Sequence, residues 1–249
     1  ADYAAVVQID PTNRNAFYRR GIAYRAKQDY DRAIADFTAA IRLDPAGASA
    51  YAARGISYSA KRDYEHAISD YGEAVRLDPK DRSSFYNRGI AYRAKQDYDR
   101  GIADFTAAIA LDPNDAATFT LRGNSYSAKR DYDRAIADYT EAIARDPNNA
   151  SAANNRGNAY YAKNDYDRAI ADYSEAIRLD PKYIRAYSNR GGAYYVKRDY
   201  SQAIADYTEA IRLDPTLASA YTGRGNAYNA RGEVDRADAD FSQARRLAK

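Results

Sequence analysis

The chain has 249 residues and a formal charge of +3, with 38 basic and 35 acidic side chains mixed along its length, a balance that argues against the dense positive footprint of nucleic-acid binding. Cysteine is absent, which excludes disulfides, thiol nucleophiles and cysteine metal sites and leaves cytoplasm and periplasm equally compatible. No apolar run reaches membrane-spanning length and no secretory leader is visible.

Residues 1–11, ADYAAVVQIDP, align with 35–45, ADFTAAIRLDP, and the offset of that match recurs to the end of the chain. Pro11, Pro45, Pro79, Pro113, Pro147, Pro181 and Pro215 stand 34 residues apart, and the glycines from Gly21 to Gly225 keep the same step. A fixed period of this size marks stacked repeats, each packing mainly on its neighbours. Seven units follow, at 14–47, 48–81, 82–115, 116–149, 150–183, 184–217 and 218–249. Residues 1–13 are expected to be the remnant of a second helix whose partner first helix is missing, so the N-terminus reads as a cut within a longer array.

The unit is clearest at 150–181, where the spacing predicts helices over Ser151–Lys163 and Tyr166–Leu179. Asn164 and Asp165 in the turn bond locally and favour caps. Asp180, held out of the helical region by Pro181, ends the second helix. Tyr166, Ala169, Ile170, Tyr173, Ala176 and Ile177 recur at steps of three and four, which gives one buried face. In the last unit Asp238 and Arg245 replace the isoleucines seen at Ile204 and Ile211, which places the C-terminus near the array's true end. A longer period overlies the first. Ile22–Arg32 and Ile90–Arg100 both read IAYRAKQDYDR, 68 residues apart, so the first two units should resemble the next two chemically.

The repeat resembles the tetratricopeptide repeat family through Tyr51, Gly55, Tyr58, Ala67, Tyr71, Ala74 and Pro79 and their equivalents. Two departures stand out. Arg20, Arg54, Arg88, Arg122, Arg156, Arg190 and Arg224 occupy the position where the family carries leucine. Ala153 replaces an aromatic, which predicts a thinner contact there. The resemblance implies an all-α fold, an α-solenoid in which antiparallel helix pairs wind into a right-handed superhelix. It also implies that first helices line a concave groove along which partner peptides lie. The paired Lys, Asn and Arg clamp of chaperone-binding members is absent, its places being taken by Tyr18, Ile22, Ile56, Tyr86 and Ile90.

Positions three before, one after and four after each glycine vary between units and share one helical stripe. The first three units offer Tyr18, Ile22 and Arg25, then Ile56, then Tyr86, Ile90 and Arg93. Later units offer Asn124, Asn154, Asn158, Tyr161, Tyr195, Asn226 and Asn229, with Gly192 interrupting a ladder of amides. An asparagine side chain both donates to and accepts from a peptide backbone. These residues are the expected peptide-binding groove.

Other constellations read as structural. Tyrosine occurs 26 times, and with arginine it invites a stacking surface for single-stranded nucleic acid. Most copies keep the repeat period, as Tyr24, Tyr58 and Tyr92 do, and belong to the packing. The arginine before each glycine recurs with an aspartate, Asp36 through Asp240, as a pair tying the two helices together rather than a row of anion sites. His66 stands where sister units carry Arg32 and Arg100, a surface substitution. The carboxylates follow the repeat, and no Walker loop, HExxH or dinucleotide fingerprint occurs, so no enzyme activity, cofactor or metal is expected. The resulting expectation is a protein-interaction scaffold that binds an extended peptide or partner helix. Alternatives are self-association through Tyr3, Val6 and Val7, giving a homodimer at the cut end, or the regulatory arm of a larger enzyme. Nucleic acid comes last among the partners.

Overall fold

The computed structural model describes residues 3–248, and every regular element among them is an α-helix. Its contacts fall into two compact units, residues 1–129 and 130–249. Unit 1 contains α1 (Tyr3–Ile9), α2 (Arg14–Ala26), α3 (Tyr30–Leu43), α4 (Ala48–Ala60), α5 (Tyr64–Leu77), α6 (Arg82–Ala94), α7 (Tyr98–Leu111) and α8 (Ala116–Ala128). Unit 2 contains α9 (Tyr132–Arg145), α10 (Ala150–Ala162), α11 (Tyr166–Leu179), α12 (Ile184–Val196), α13 (Tyr200–Leu213), α14 (Ala218–Ala230) and α15 (Val234–Leu247). Residues 1 and 2 of the expected N-terminal remnant lie outside the described residues. Within it, Tyr3 and Val7 are half-buried, whereas Val6 and Ile9 are exposed.

Local chemistry sets these boundaries. Asp29, Asp63, Asp97, Asp131, Asp165 and Asp199 cap the second helices, each carboxylate accepting the backbone N–H three residues on. The residue before each cap reverses the chain in the left-handed region, at φ 62° for Arg62 and Asn164. At the other end Asp44, Asp78 and Asp180 accept the N–H groups of Ala46, Lys80 and Lys182, closing a turn over the intervening proline. Asn149 caps α10 through the Ala152 N–H at 2.9 Å, and Lys163 is already its C-cap, so that helix sits one residue earlier than its pattern predicts.

Packing inside a pair rests on one close approach. A Cβ built on Gly21 would stand 2.7 Å from Phe37 Cε1, and one on Gly157 would stand 2.7 Å from Tyr173 Cε1. Only glycine admits the ring, and buried alanines such as Ala33, Ala67 and Ala169 fill the rest of the seam. Between pairs, each second helix packs on the following first helix: α3 on α4, α5 on α6 and α7 on α8 in unit 1, and α9 on α10, α11 on α12 and α13 on α14 in unit 2. First helices also touch one another, α2 to α4, α4 to α6 and α6 to α8, and α10 to α12 to α14. Within neither unit does a second helix approach the next second helix among the described residues. Lysines at the first-helix C-caps bridge back to acids of the previous pair: Lys61 to Asp31, Lys95 to Glu65 and Lys129 to Asp99, and, in unit 2, Lys163 to Asp133 and Lys197 to Asp167.

Candidate binding face on the first helices

In each helix pair that lies within one unit, the arginine preceding the glycine forms a fork. Arg54 Nε and Nη2 donate to the two oxygens of Asp70 at 2.8 and 2.7 Å, and Arg20, Arg88, Arg156, Arg190 and Arg224 repeat that geometry on Asp36, Asp104, Asp172, Asp206 and Asp240. These aspartates are buried, and their guanidinium partners are held above their ordinary value by the hydrogen bonds they make. Burial pushes the Asp206 carboxyl up, an effect that Arg190 offsets only in part. The remaining Nη1 reaches back to the previous pair: Arg54 to Thr38 at 2.9 Å, Arg190 to Ser174 at 2.9 Å and Arg224 to Thr208 at 3.1 Å. Gly72 removes that hydroxyl opposite Arg88. Most forks also lie over the ring three residues earlier, as Arg54 does over Tyr51 at 5.8 Å and Arg88 over Phe85 at 5.6 Å. At Arg156 that place belongs to Ala153, which packs instead with Ala176 and Ala186.

These forks fix the roll of each first helix and so the stripe it presents. In unit 1 Tyr18 is half-buried against Phe37 (ring centroids 5.8 Å apart), Tyr86 against Phe105 (6.3 Å), and Ile22 packs beside Ala33 and Ala53. Arg25, Ile90, Arg93 and Asn124 are half-buried, and Ile56 is exposed. The Tyr71 phenol, 3.3 Å from Ser59 Oγ, is pushed up to about 12, chiefly by burial.

In unit 2 Asn158 is exposed, yet its Oδ1 accepts both the Tyr173 hydroxyl at 2.8 Å and Asn189 Nδ2 at 3.0 Å. Asn189 Nδ2 also donates to Asn154 Oδ1 at 3.0 Å. Asn154 is 3 % exposed and bonds to Asn155 as well, so its side chain braces the amide cluster instead of facing outward. Tyr161 and Tyr195 tilt against Tyr166 and Tyr200, with centroids 5.3 and 5.6 Å apart. Tyr195, Asn226 and Asn229 are exposed. Gly192 faces the Tyr207 hydroxyl, and Tyr207 leans into Gly223, where a Cβ would meet its ring at 2.4 Å.

Asn189 and Tyr173 escaped the stripe argument because they occupy packing positions. Their signal is an asparagine two residues before the glycine in α12, within reach of the amides of α10. His66 takes over the work of the arginines it replaces. It meets Asp63 at 2.8 Å and stacks on Tyr58 at 5.0 Å, as Arg100 stands 4.6 Å over Tyr92. No group of three or more His, Cys, Asp or Glu side chains able to hold a metal occurs among the described residues, and no helix there is long and apolar enough to cross a membrane.

Comparison with known proteins follows the same geometry. Family profiles described as tetratricopeptide repeat match residues 52–116 and 120–184, and residues 15–46 and 184–217. A search of the curated proteins found no match. Among solved structures, a tetratricopeptide repeat protein from Parabacteroides merdae is similar over 95 % of this chain and 93 % of its own, at 19 % identity and a TM-score of 0.73. YrrB, described as a TPR protein with an unusual peptide-binding site, is similar over 75 % of this chain and 96 % of its own, at 21 % identity and a TM-score of 0.68. MamA is similar over 64 % of this chain and 94 % of its own, at 28 % identity and a TM-score of 0.61. On its sequence profile and its tandem helix pairs, the chain belongs to the tetratricopeptide repeat family.

Proposed function

We propose that this protein is a non-catalytic scaffold that holds an extended peptide, or a partner helix, along the first-helix face of each unit. The tetratricopeptide fold supports the broader part of this reading, a scaffold with protein partners. The finer part rests on one observation: consecutive first helices adjoin while consecutive second helices do not. Side chains of neighbouring first helices therefore stand side by side, available to one ligand. The packing seams rest chiefly on the glycine, alanine and fork positions, and of the stripe only some members, such as Tyr18, Ile22, Tyr86 and Asn154, pack into them. Tyr195 offers a half-apolar anchor, and Asn226 and Asn229 offer exposed amides that pair with peptide backbone.

Selection from a random peptide library tests the reading. Selected peptides should lose affinity for Tyr195→Ala combined with Asn226→Ala. They should keep it for Ser69→Ala combined with Ser201→Ala, two exposed positions on second helices. Equal affinity for both variants would overturn the assignment. Exposed Val6 and Ile9 on α1 favour self-association as a second reading, and a mass that stays monomeric by light scattering as concentration rises would remove it.

A further inference from the structure

Unit 1 treats its half-buried arginines in two ways. Arg14, Arg20, Arg54, Arg82 and Arg88 each hold a carboxylate, on Asp44, Asp36, Asp70, Asp115 and Asp104. Arg25 and Arg93, in the last turns of α2 and α6, are equally half-buried and meet no carboxylate among the described residues. Arg93 Nε is shielded from solvent and donates to no acceptor there. A guanidinium does not give up its proton, and a buried donor without an acceptor is destabilising.

A second observation is independent of the first. The first helices of unit 1 (RNAFYRRGIAYRA, ASAYAARGISYSA, RSSFYNRGIAYRA and AATFTLRGNSYSA) contain no aspartate or glutamate. The acids of this unit sit in the second helices and the turns, so the first helices themselves bring only positive charge to their face. Ile22 and Ile90 lie one turn before the arginines, and exposed Ile56 lies on the helix between.

We infer that the first-helix face of unit 1 binds an acidic peptide segment, with a glutamate or aspartate carboxylate on Arg25, another on Arg93, and apolar side chains on the isoleucines between them. The inference rests on the binding-face reading above and names the ligand class for this unit. A carboxylate reaching the part-exposed guanidinium of each arginine answers its charge, and the forked donor geometry favours carboxylate over a neutral amide. The overall charge of +3 does not attract acids by itself; the separation of charge between helix faces does.

The test uses the full chain and three fluorescent probes: short peptides alternating leucine with glutamate, with glutamine, or with lysine. Fluorescence anisotropy should show the glutamate peptide binding at least ~10-fold tighter than the glutamine peptide, with the advantage shrinking as salt rises. Arg25→Gln with Arg93→Gln should abolish that advantage, so that the glutamate and glutamine peptides bind alike. The double variant should melt no lower than the parent, because it removes charges that have no partner in the fold. Equal affinity for glutamate and glutamine peptides, or an advantage that survives the double variant, would overturn the inference. So would a single-stranded oligonucleotide that displaces the glutamate peptide at equal charge, by assigning the face to nucleic acid. Loss of the glutamate preference alone leaves the binding face standing. Failure of the library-selected peptides to respond to Tyr195→Ala with Asn226→Ala removes the binding face itself.

Discussion

Gly72 offers a controlled way to weigh the third contact of the arginine fork. Thr38, Thr106, Thr140, Ser174 and Thr208 stand at the equivalent place in the other pairs, and Thr38 donates to Ile34 O at 2.7 Å while accepting from Arg54 at 2.9 Å. A Cβ on Gly72 would find only Arg88 Nη1 nearby, at 3.7 Å, so a side chain enters without a clash. Gly72→Thr should therefore recreate the missing bond. Its helix-propensity gain over glycine is about 0.3 kcal/mol, because β-branching removes most of what alanine would give. A hydrogen bond to a charged donor adds roughly 1–2 kcal/mol at this half-buried site, which with the propensity gain makes about 1.3–2.3 kcal/mol. Gly72→Ala gains about 0.5–1 kcal/mol from propensity alone. Urea unfolding of the full chain, read only where the m-value is unchanged, measures both. Threonine should exceed alanine, and the excess should vanish in an Arg88→Met background. Alanine equal to or better than threonine would refute the claim that the hydroxyl completes the fork.

Asn158→Ala leaves the Tyr173 hydroxyl without its acceptor and should lower stability by about 1–3 kcal/mol, and a cycle with Tyr173→Phe should show coupling of about 1 kcal/mol; additive losses would contradict the bond. Arg62→Gly relieves a left-handed residue at φ 62° and should raise the urea midpoint by up to about 1 kcal/mol of stability, whereas a fall would mean that its side chain holds an unseen contact. The Arg100 side chain, then its backbone N–H, hold the Asp97 carboxyl below its ordinary value. Its contribution is therefore present above the unfolded carboxylate value and lost as pH falls through the folded one. Asp97→Ser, which keeps a cap but cannot titrate, should flatten that acid limb; an unchanged pH profile of the urea midpoint would rule the cap out as its source.

The repeat made the helices readable because Asp-Pro turns and Asn-Asp or Gln-Asp caps are local devices. Tyr166–Leu179 is both the predicted and the observed span of α11. The fork was readable in part: Arg88 with Asp104 follows from two sets that never skip a unit. Its third arm leaves a fainter mark, Thr38 and its equivalents keeping the same period as hydroxyls that Gly72 breaks. The stripe was harder. Asn154 and Asn158 are four residues apart on one helix face, yet one is buried and the other exposed. What separates them is Asn189, on the neighbouring helix, and a contact between pairs leaves no mark in the spacing of one helix. The standing of Arg25 was equally hidden, since pairing depends on where acids lie in space, and the sequence shows only that they are abundant.

The bridges from each first-helix cap lysine to the acid of the pair before it have a consequence for how the molecule is approached. Each couples an exposed cation to an exposed anion, so the cap lysines Lys61, Lys95 and Lys129 each stand against a minus within touching distance. Beyond about 8 Å in physiological salt such dipoles fade, and a passing molecule feels neither pull nor push from that side. The rim is electrically quiet, and quietness there keeps stray polyelectrolytes from settling on the turns while whatever is drawn in from a distance must answer to the opposite flank.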